Sequence, residues 1–212
     1  MKTIVDLYKD GQIPSSLEIR EALDQKYDDV LYPFALQKEY RKHYSFSLYS
    51  SEEIQILAEF IGDKKAVEIG CGSGFLVSLL LPACPKLVGV DNYVSKYFFS
   101  NHGVTLDNKQ HSVLRTDGQY YLENNKDVDI LLLVWPDLHS TIAYDAVESV
   151  RPGTAVVYKG EGKGGCTGTD EFHDLLFDDS KFASDYELTR ELNGVSNSFY
   201  GIHDRWYVYV KL

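Results

Sequence analysis

The stretch that decides the fold runs from residue 66 to residue 74 and reads AVEIGCGSG. Its first four residues, apolar except for Glu68, predict a short strand. The three alternate glycines that follow, Gly70, Gly72 and Gly74, let the backbone turn tightly against a small molecule, and the next residues predict a helix that opens near Ser73. We therefore expect a ligand-binding turn between a strand and a helix.

A second apolar strand ends at Asp91, 23 residues beyond Glu68. An acidic side chain at this place can accept hydrogen bonds from both hydroxyls of a ribose. Dinucleotide sites need G-x-G-x-x-G, whose last glycine lies where the helix packs on the strand. Here Phe75 has that position, and the Glu68 carboxylate would repel a neighbouring pyrophosphate. The spacing therefore argues against a dinucleotide site.

The pattern acidic-x-G-x-G-x-G resembles motif I of the class I S-adenosylmethionine-dependent methyltransferases. The resemblance covers about residues 52 to 212 and implies S-adenosylmethionine as cofactor. It places Glu68 near the amino group of the methionine moiety, Asp91 on the ribose, and Asp117 at the adenine amino group. The cofactor-binding set that it implies consists of Glu68, Gly70, Cys71, Gly72, Ser73, Gly74, Asp91, Asp117, Gly118 and Trp135.

The amino-acid composition narrows the range of partners that this protein can be expected to bind. Of the 212 residues, 32 are acidic and 21 basic, with no run of lysines and arginines, so bulk nucleic acid is disfavoured as a substrate. Three cysteines without C-x-x-C spacing fit reduced thiols, and no metal site is predicted. No signal-peptide or membrane-span pattern is seen, so we expect a cytoplasmic protein that does not bind membranes. The sequence predicts no particular oligomeric state.

Alternating strand and helix patterns predict an α/β fold with a doubly wound, mostly parallel seven-stranded sheet and an antiparallel C-terminal strand. Helices are expected from Ser15, from Ser50 and from Asp170, each beginning at or beside a capping residue. The predicted strands cover residues 65–69, 86–91, 112–116, 127–134 and 154–158, followed by two terminal strands joined only by a loop. The first of these two carries the alternating residues Tyr186, Leu188, Arg190 and Leu192, and the second carries Trp206, Val208, Val210 and Leu212.

Residues 1–50 are predicted to form an N-terminal helical and aromatic extension, and residues 51–212 the methyltransferase-like domain. In many class I methyltransferases the N-terminal extension folds over the cofactor, so the resemblance makes the aromatic residues of this segment candidates for a lid. The alternative is that they pack the extension onto the core. These residues are Tyr32, Phe34, Tyr40, Tyr44, Phe46 and Tyr49.

The acceptor side is expected at the ends of the fourth and fifth strands, since ligands bind outside the carboxyl ends of parallel strands. The fourth strand ends in Trp135-Pro136-Asp137, which lacks the polar first residue found in amino-methylating relatives. Trp135 either stacks on a flat acceptor or covers the cofactor. Residues 160–168 form either an anion-binding nest with Lys163 or a mobile crossover loop. Asp137 and Glu161 are the candidate catalytic residues.

These features together predict a methyltransferase that acts on a small molecule or a protein side chain. One alternative is a catalytically inactive methyltransferase-like binding module, which the unusual Trp135-Pro136 pair favours. A second alternative is a nucleotide- or dinucleotide-binding enzyme on a similar sheet, which Phe75 opposes.

Overall fold

The computed structural model describes residues 2–25, 31–92, 113–178 and 180–212. Its strands are β1 (Ala66–Ile69), β2 (Leu87–Asp91), β3 (Val113–Arg115), β4 (Ile130–Val134), β5 (Ala155–Gly160), β6 (Phe182–Ser184) and β7 (Arg205–Lys211). Its helices are α1 (Ile4–Leu7), α2 (Ser16–Leu23), α3 (Tyr32–His43), α4 (Ser51–Ile61), α5 (Phe75–Leu80), α6 (Gly118–Asn124), α7 (Ile142–Ser149), α8 (Asp170–His173) and α9 (Tyr186–Val195).

The seven strands form one sheet in the order β3-β2-β1-β4-β5-β7-β6. The strands β1 to β5 pair in parallel, whereas β7 runs antiparallel to both β5 and β6. Both faces of the sheet are covered by helices: α4, α5 and α9 share one apolar cluster, and α6, α7 and α8 share the other. The predicted doubly wound sheet with an antiparallel C-terminal strand is confirmed.

Helix starts follow the predicted capping residues. Ser15 and Ser50 each form a reciprocal capping box with the glutamate three residues later, Glu18 and Glu53, and these caps open α2 and α4. Thr169 accepts a hydrogen bond from the Phe172 N–H and opens α8, which a π-helical turn at Asp174–Asp178 continues. The predicted strand start at Ser112 lies outside the described residues.

One predicted strand is wrong. Residues Tyr186–Val195 form the helix α9. The Asp185 side chain accepts a hydrogen bond from the Leu188 N–H and caps this helix, while Leu192 is fully buried and Tyr186 is 68% exposed. The strand β6 is instead the three-residue segment just before it. The alternating apolar residues led to a wrong strand prediction because Leu188 and Leu192 are also four residues apart, which is the spacing of one helix face.

The N-terminal extension packs on the α4–α5 face of the sheet. Ile4, Ile19 and Tyr40 belong to the same buried cluster as Leu57 of α4. The Tyr8 hydroxyl donates to the Tyr49 carbonyl at 2.8 Å and accepts from the Tyr49 N–H at 3.1 Å. Among the described residues, no helix has the length and apolar character needed to cross a bilayer. The domain boundary near residue 50 stays a prediction.

Candidate functional site

The glycine turn between β1 and α5 has a left-handed backbone at each alternate position. Gly70, Gly72 and Gly74 have φ values of 72°, 55° and 73°. A Cβ atom added to Gly72 would have no atom within 4 Å, so the backbone angle and not a neighbouring group explains glycine there. The Gly70 N–H donates to the Val90 carbonyl at 2.8 Å and anchors the turn to β2. The turn therefore presents an open backbone surface at the carboxyl edge of the sheet.

Glu68 of β1 is the buried acid of this turn. The side chain is 4% exposed, and its Oε2 atom has no hydrogen-bond partner among the described residues. Burial, together with the charge of Asp91, raises the pKa of the Glu68 carboxyl to about 8. A cation next to Oε2 would stabilise the ionised carboxylate, so the site suits a positively charged group.

Asp91 lies at the carboxyl end of β2, beside the turn. Its Oδ2 atom accepts a hydrogen bond from the Gly72 N–H at 2.9 Å. The predicted ribose-binding acid therefore also fixes the middle of the glycine turn. A substitution of Asp91 can therefore weaken cofactor binding in two ways, through a lost ribose contact or through a disturbed glycine turn.

Cys71 and Ser73 have mainly packing and tethering contacts. The Cys71 thiol is buried against Gly89, where an added Cβ would come within 2.9 Å of the Cys71 sulfur. Burial, then the charges of Glu68 and Asp91, raises the pKa of this thiol, so it is not an activated nucleophile. The Ser73 hydroxyl donates to the Tyr44 carbonyl at 3.1 Å and ties the turn to the extension.

A pocket of about 60 Å³ opens over the turn, and we call it the glycine-turn pocket. It brings together six residues of the predicted cofactor set with four residues of the extension and three apolar neighbours. The lining consists of Glu68, Gly70, Cys71, Gly72, Ser73 and Trp135, of Tyr44, Ser45, Phe46 and Tyr49, and of Phe75, Leu76 and Val134. The extension thus contributes part of the pocket wall, whereas Tyr40 is fully buried in the core.

Trp135 follows β4 and has a φ of 51°, which a non-glycine residue seldom adopts. Three contacts hold it there. Its N–H donates to the Lys159 carbonyl at 2.9 Å, and its indole Nε1 donates to Asp204 Oδ2 at 2.8 Å. Its ring lies 5.4 Å from the Phe46 ring, with 32° between the planes. A strained conformation fixed from three sides is typical of a residue positioned for binding.

Asp117 and Gly118 stand at the start of α6. Asp117 is exposed, and its Oδ1 caps the helix by accepting the Tyr120 N–H at 2.9 Å. A Cβ on Gly118 would lie 2.5 Å from the Ile69 side chain, so glycine allows α6 to approach β1 closely. Their cofactor contacts stay predictions.

The two predicted catalytic acids differ in their surroundings. Asp137 is exposed, and its Oδ1 accepts the His139 N–H at 2.8 Å. Glu161 is 7% exposed, and its oxygens accept the His203 N–H at 3.0 Å and the Cys166 N–H at 2.7 Å. Burial opposes ionisation of Glu161, but these backbone donors outweigh it and lower the pKa. Glu161 therefore holds the loop of residues 161–166 closed, and a catalytic role for either acid stays a prediction.

A buried ion pair that sequence reasoning missed lies next to the pocket. Lys159 of β5 and Glu53 of α4 are both fully buried, with 2.7 Å between Nζ and Oε1. The Lys159 ammonium also donates to the Leu48 carbonyl at 2.7 Å, and Glu53 accepts the Trp206 indole N–H at 2.7 Å. The pair thus joins the extension, α4, β5 and β7. A lysine inside an otherwise apolar strand was the available signal.

No model of a known protein family matches this sequence, and the curated proteins give no match either. Solved structures, in contrast, do match this chain. Magnesium protoporphyrin IX methyltransferase (ChlM) from Synechocystis PCC 6803, solved with bound SAM, is 13% identical over 99% of this chain and 95% of its own, with a TM-score of 0.51. This chain has the Rossmann-like methyltransferase fold.

Two further structures with the methyltransferase fold align over less of the chain. N-methyltransferase NodS from Bradyrhizobium japonicum WM9 is 13% identical over 76% of this chain and 93% of its own, with a TM-score of 0.45. An rRNA methylase from Streptococcus thermophilus is 13% identical over 75% of this chain and 93% of its own, with a TM-score of 0.44.

Proposed function

We propose that this chain is an S-adenosylmethionine-dependent methyltransferase that acts on a small molecule or a protein side chain. The observation that carries the proposal is the buried Glu68 carboxyl, which adjoins an open glycine turn and whose Oε2 has no hydrogen-bond partner in the part of the chain that the structure describes. S-adenosylmethionine supplies a methyl group on a sulfonium and has a cationic amino group that such a carboxyl would hold. The bound SAM in the ChlM structure agrees with this choice of cofactor.

The residues of the pocket have separate tasks in this proposal. Glu68 holds the amino group, the glycine turn gives the backbone room to approach, and Asp91 binds the ribose hydroxyls. Asp117 accepts a hydrogen bond from the adenine amino group, and Trp135 closes the pocket on the side of the methyl acceptor. Alignment of donor and acceptor can by itself lower the barrier by about 7–11 kcal/mol, so little further chemistry is required of the protein.

The nature of the acceptor follows from charge and from the loops beyond Trp135. The formal net charge of −11 favours a small molecule or a protein over bulk nucleic acid. Asp137 and Glu161 are the acids on the acceptor side. Glu161 would have to release one of its two backbone donors, His203 or Cys166, before it took a proton.

Calorimetric titration with S-adenosylmethionine, S-adenosylhomocysteine and NAD tests the proposal. We expect the first two ligands to bind and NAD to bind weakly or not at all, because Phe75 replaces the third glycine of a dinucleotide turn. Tight NAD binding without S-adenosylhomocysteine binding would favour the dinucleotide alternative. Cofactor binding without any methylated product in a screen with labelled cofactor would favour the inactive module.

Replacing Asp91 by alanine should weaken S-adenosylhomocysteine binding about 10- to 150-fold. The reason is that a carboxylate hydrogen-bonded to both ribose hydroxyls contributes about 1.5–3 kcal/mol. The measurement is the dissociation constant by calorimetry, with a thermal melt of the same sample.

Asp91→Asn is the matched control, because the amide oxygen still accepts the Gly72 N–H. We expect this variant to keep the melting temperature of the parent but to lose part of the affinity. If both variants bind the ligand as the parent does, the ribose assignment is wrong and Asp91 serves only the turn.

A further inference from the structure

Arg41 of α3 lies against two aromatic rings of the glycine-turn pocket and has an unpaired donor. Its guanidinium carbon is 4.9 Å from the centroid of the Phe46 ring and 5.6 Å from that of Trp135. The Nε atom is buried, and no described residue forms a hydrogen bond with it. In the part of the chain that the structure describes, the guanidinium forms no ion pair. A half-buried cation of this kind is suited to an anionic ligand.

Asp204, the residue before β7, accepts a hydrogen bond from Trp135 and has a second oxygen that is an unpaired acceptor. The side chain is 8% exposed, and its Oδ2 accepts the Trp135 indole N–H at 2.8 Å and the Ser47 hydroxyl at 3.1 Å. Its Oδ1 atom is buried and has no hydrogen-bond partner within residues 2–25, 31–92, 113–178 and 180–212. Buried polar atoms without partners are costly and uncommon in folded proteins, so each of them calls for an explanation.

Trp135 connects the residues that carry the unpaired atoms, although these residues are far apart in the sequence. Arg41 and Asp204 both contact Trp135, and Trp135 lines the same pocket as Glu68, whose Oε2 is unpaired as well. Phe46 and Trp135 line the pocket that we assign to the cofactor, and the donor residue Arg41 and the acceptor residue Asp204 each contact Trp135. A ligand that satisfied both unpaired atoms would lie against Phe46 and Trp135.

We propose that Arg41 and Asp204 form the polar ends of the acceptor site, and that the acceptor is a small carboxylic acid with an apolar body and a hydroxyl or amino group. The proposal rests on the proposed methyltransferase function. The carboxylate pairs with the Arg41 guanidinium, whose fork of N–H donors matches a carboxylate. The hydroxyl or amino group donates to Asp204 Oδ1, and the apolar body packs on the two aromatic rings.

The first test uses benzoate and the neutral benzamide as probes, in the presence and absence of S-adenosylhomocysteine. We expect the parent to bind benzoate about tenfold more tightly than benzamide, because a charged hydrogen-bond pair is lost with the amide. Arg41→Gln should abolish the preference and Arg41→Lys should keep part of it. Lys42→Gln, which removes an exposed cation from the same helix, should keep all of it. Equal binding of the probes by the parent, or equal loss in Arg41→Gln and Lys42→Gln, would overturn the proposal.

The second test addresses Asp204 with 4-hydroxybenzoate and 4-methoxybenzoate. The parent should prefer the hydroxyl compound by about tenfold, since only that compound donates to Oδ1. In Asp204→Asn the amide oxygen keeps the Trp135 hydrogen bond and an NH₂ donor replaces Oδ1, so the preference should disappear or reverse. Tryptophan emission of the parent and the variant, to which Trp206 makes the same contribution in both, checks that the Trp135 indole has kept its surroundings. An unchanged preference in this variant excludes Asp204 from the site.

Failure of this proposal can be told apart from failure of the proposed function. If S-adenosylhomocysteine binds but the probes show no dependence on Arg41 or Asp204, the acceptor site is wrong and the cofactor site stands. If S-adenosylhomocysteine does not bind while the probes still depend on both residues, the carboxylate site stands and the methyltransferase function is wrong.

Discussion

Replacing Glu68 by glutamine is expected to stabilise the protein at pH 8 by about 2–5 kcal/mol, with little effect at pH 4.5. Burial raises the pKa of this carboxyl from 4.5 to about 8. Between these values the folded chain holds a proton that the unfolded chain has released, so the free energy of unfolding of the parent falls as the pH rises. Glutamine does not titrate, so the free energy of unfolding of the variant lacks this dependence on pH.

Denaturant unfolding of both proteins at a series of pH values measures the effect. The difference between their free energies of unfolding should grow from about pH 5 to pH 8. Glu59→Gln, a change at an exposed glutamate of α4, is the control and should give a curve parallel to that of the parent. A Glu68→Gln curve that is also parallel would show that Glu68 titrates at its ordinary pKa.

The same substitution should weaken S-adenosylhomocysteine binding, because glutamine offers the ligand ammonium a neutral oxygen instead of a carboxylate. A variant that is more stable yet binds less tightly would show that the buried acid is kept for ligand binding at the expense of stability. Increased stability with unchanged affinity would remove Glu68 from the cofactor site.

Lys159→Met should destabilise the protein by about 3–5 kcal/mol. Loss of the ammonium leaves the buried Glu53 carboxylate without its cation, and a broken buried pair costs far more than an exposed one. The Leu48 carbonyl loses its donor as well, so the extension should become more sensitive to proteolysis. Denaturant unfolding and limited proteolysis measure the two effects.

Lys65→Met is the matched control, since Lys65 pairs with Asp127 while both side chains are more than half exposed. We expect it to cost about 0–1 kcal/mol. The double variant Glu53→Gln with Lys159→Met should recover part of the stability, because the uncompensated charge is gone. Equal destabilisation by Lys159→Met and Lys65→Met would disprove the role of the buried pair.

The fold could be predicted because its signals are local. Three signals each depend on near neighbours in the sequence: the short, mostly apolar stretch before the glycines, the apolar run of β4 and the serine capping boxes. The error at Tyr186–Val195 arose because a short segment fitted both the strand and the helix period. Only the packing of Leu192 under β7 and the cap at Asp185 decide between the two.

The glycine turn itself could likewise be predicted, but the surroundings of Trp135 could not. Asp204 comes before β7, and only the antiparallel direction of this strand brings its first residue to the carboxyl edge of β5. Arg41 lies on a helix whose docking the sequence does not reveal. Lys159 and Glu53 are 106 residues apart, and nothing in either segment identifies the other as its partner.

Cys166 gives the protein a natural attachment point for a fluorophore. It is exposed, whereas Cys71 and Cys84 are buried, so a maleimide dye should attach at one position without any cysteine being replaced. The charge of Glu161 raises the pKa of the Cys166 thiol, which means that labelling should be carried out under mildly alkaline conditions. Because the dye would be carried by the loop that Glu161 holds closed, its emission would report whether that loop opens when ligands enter.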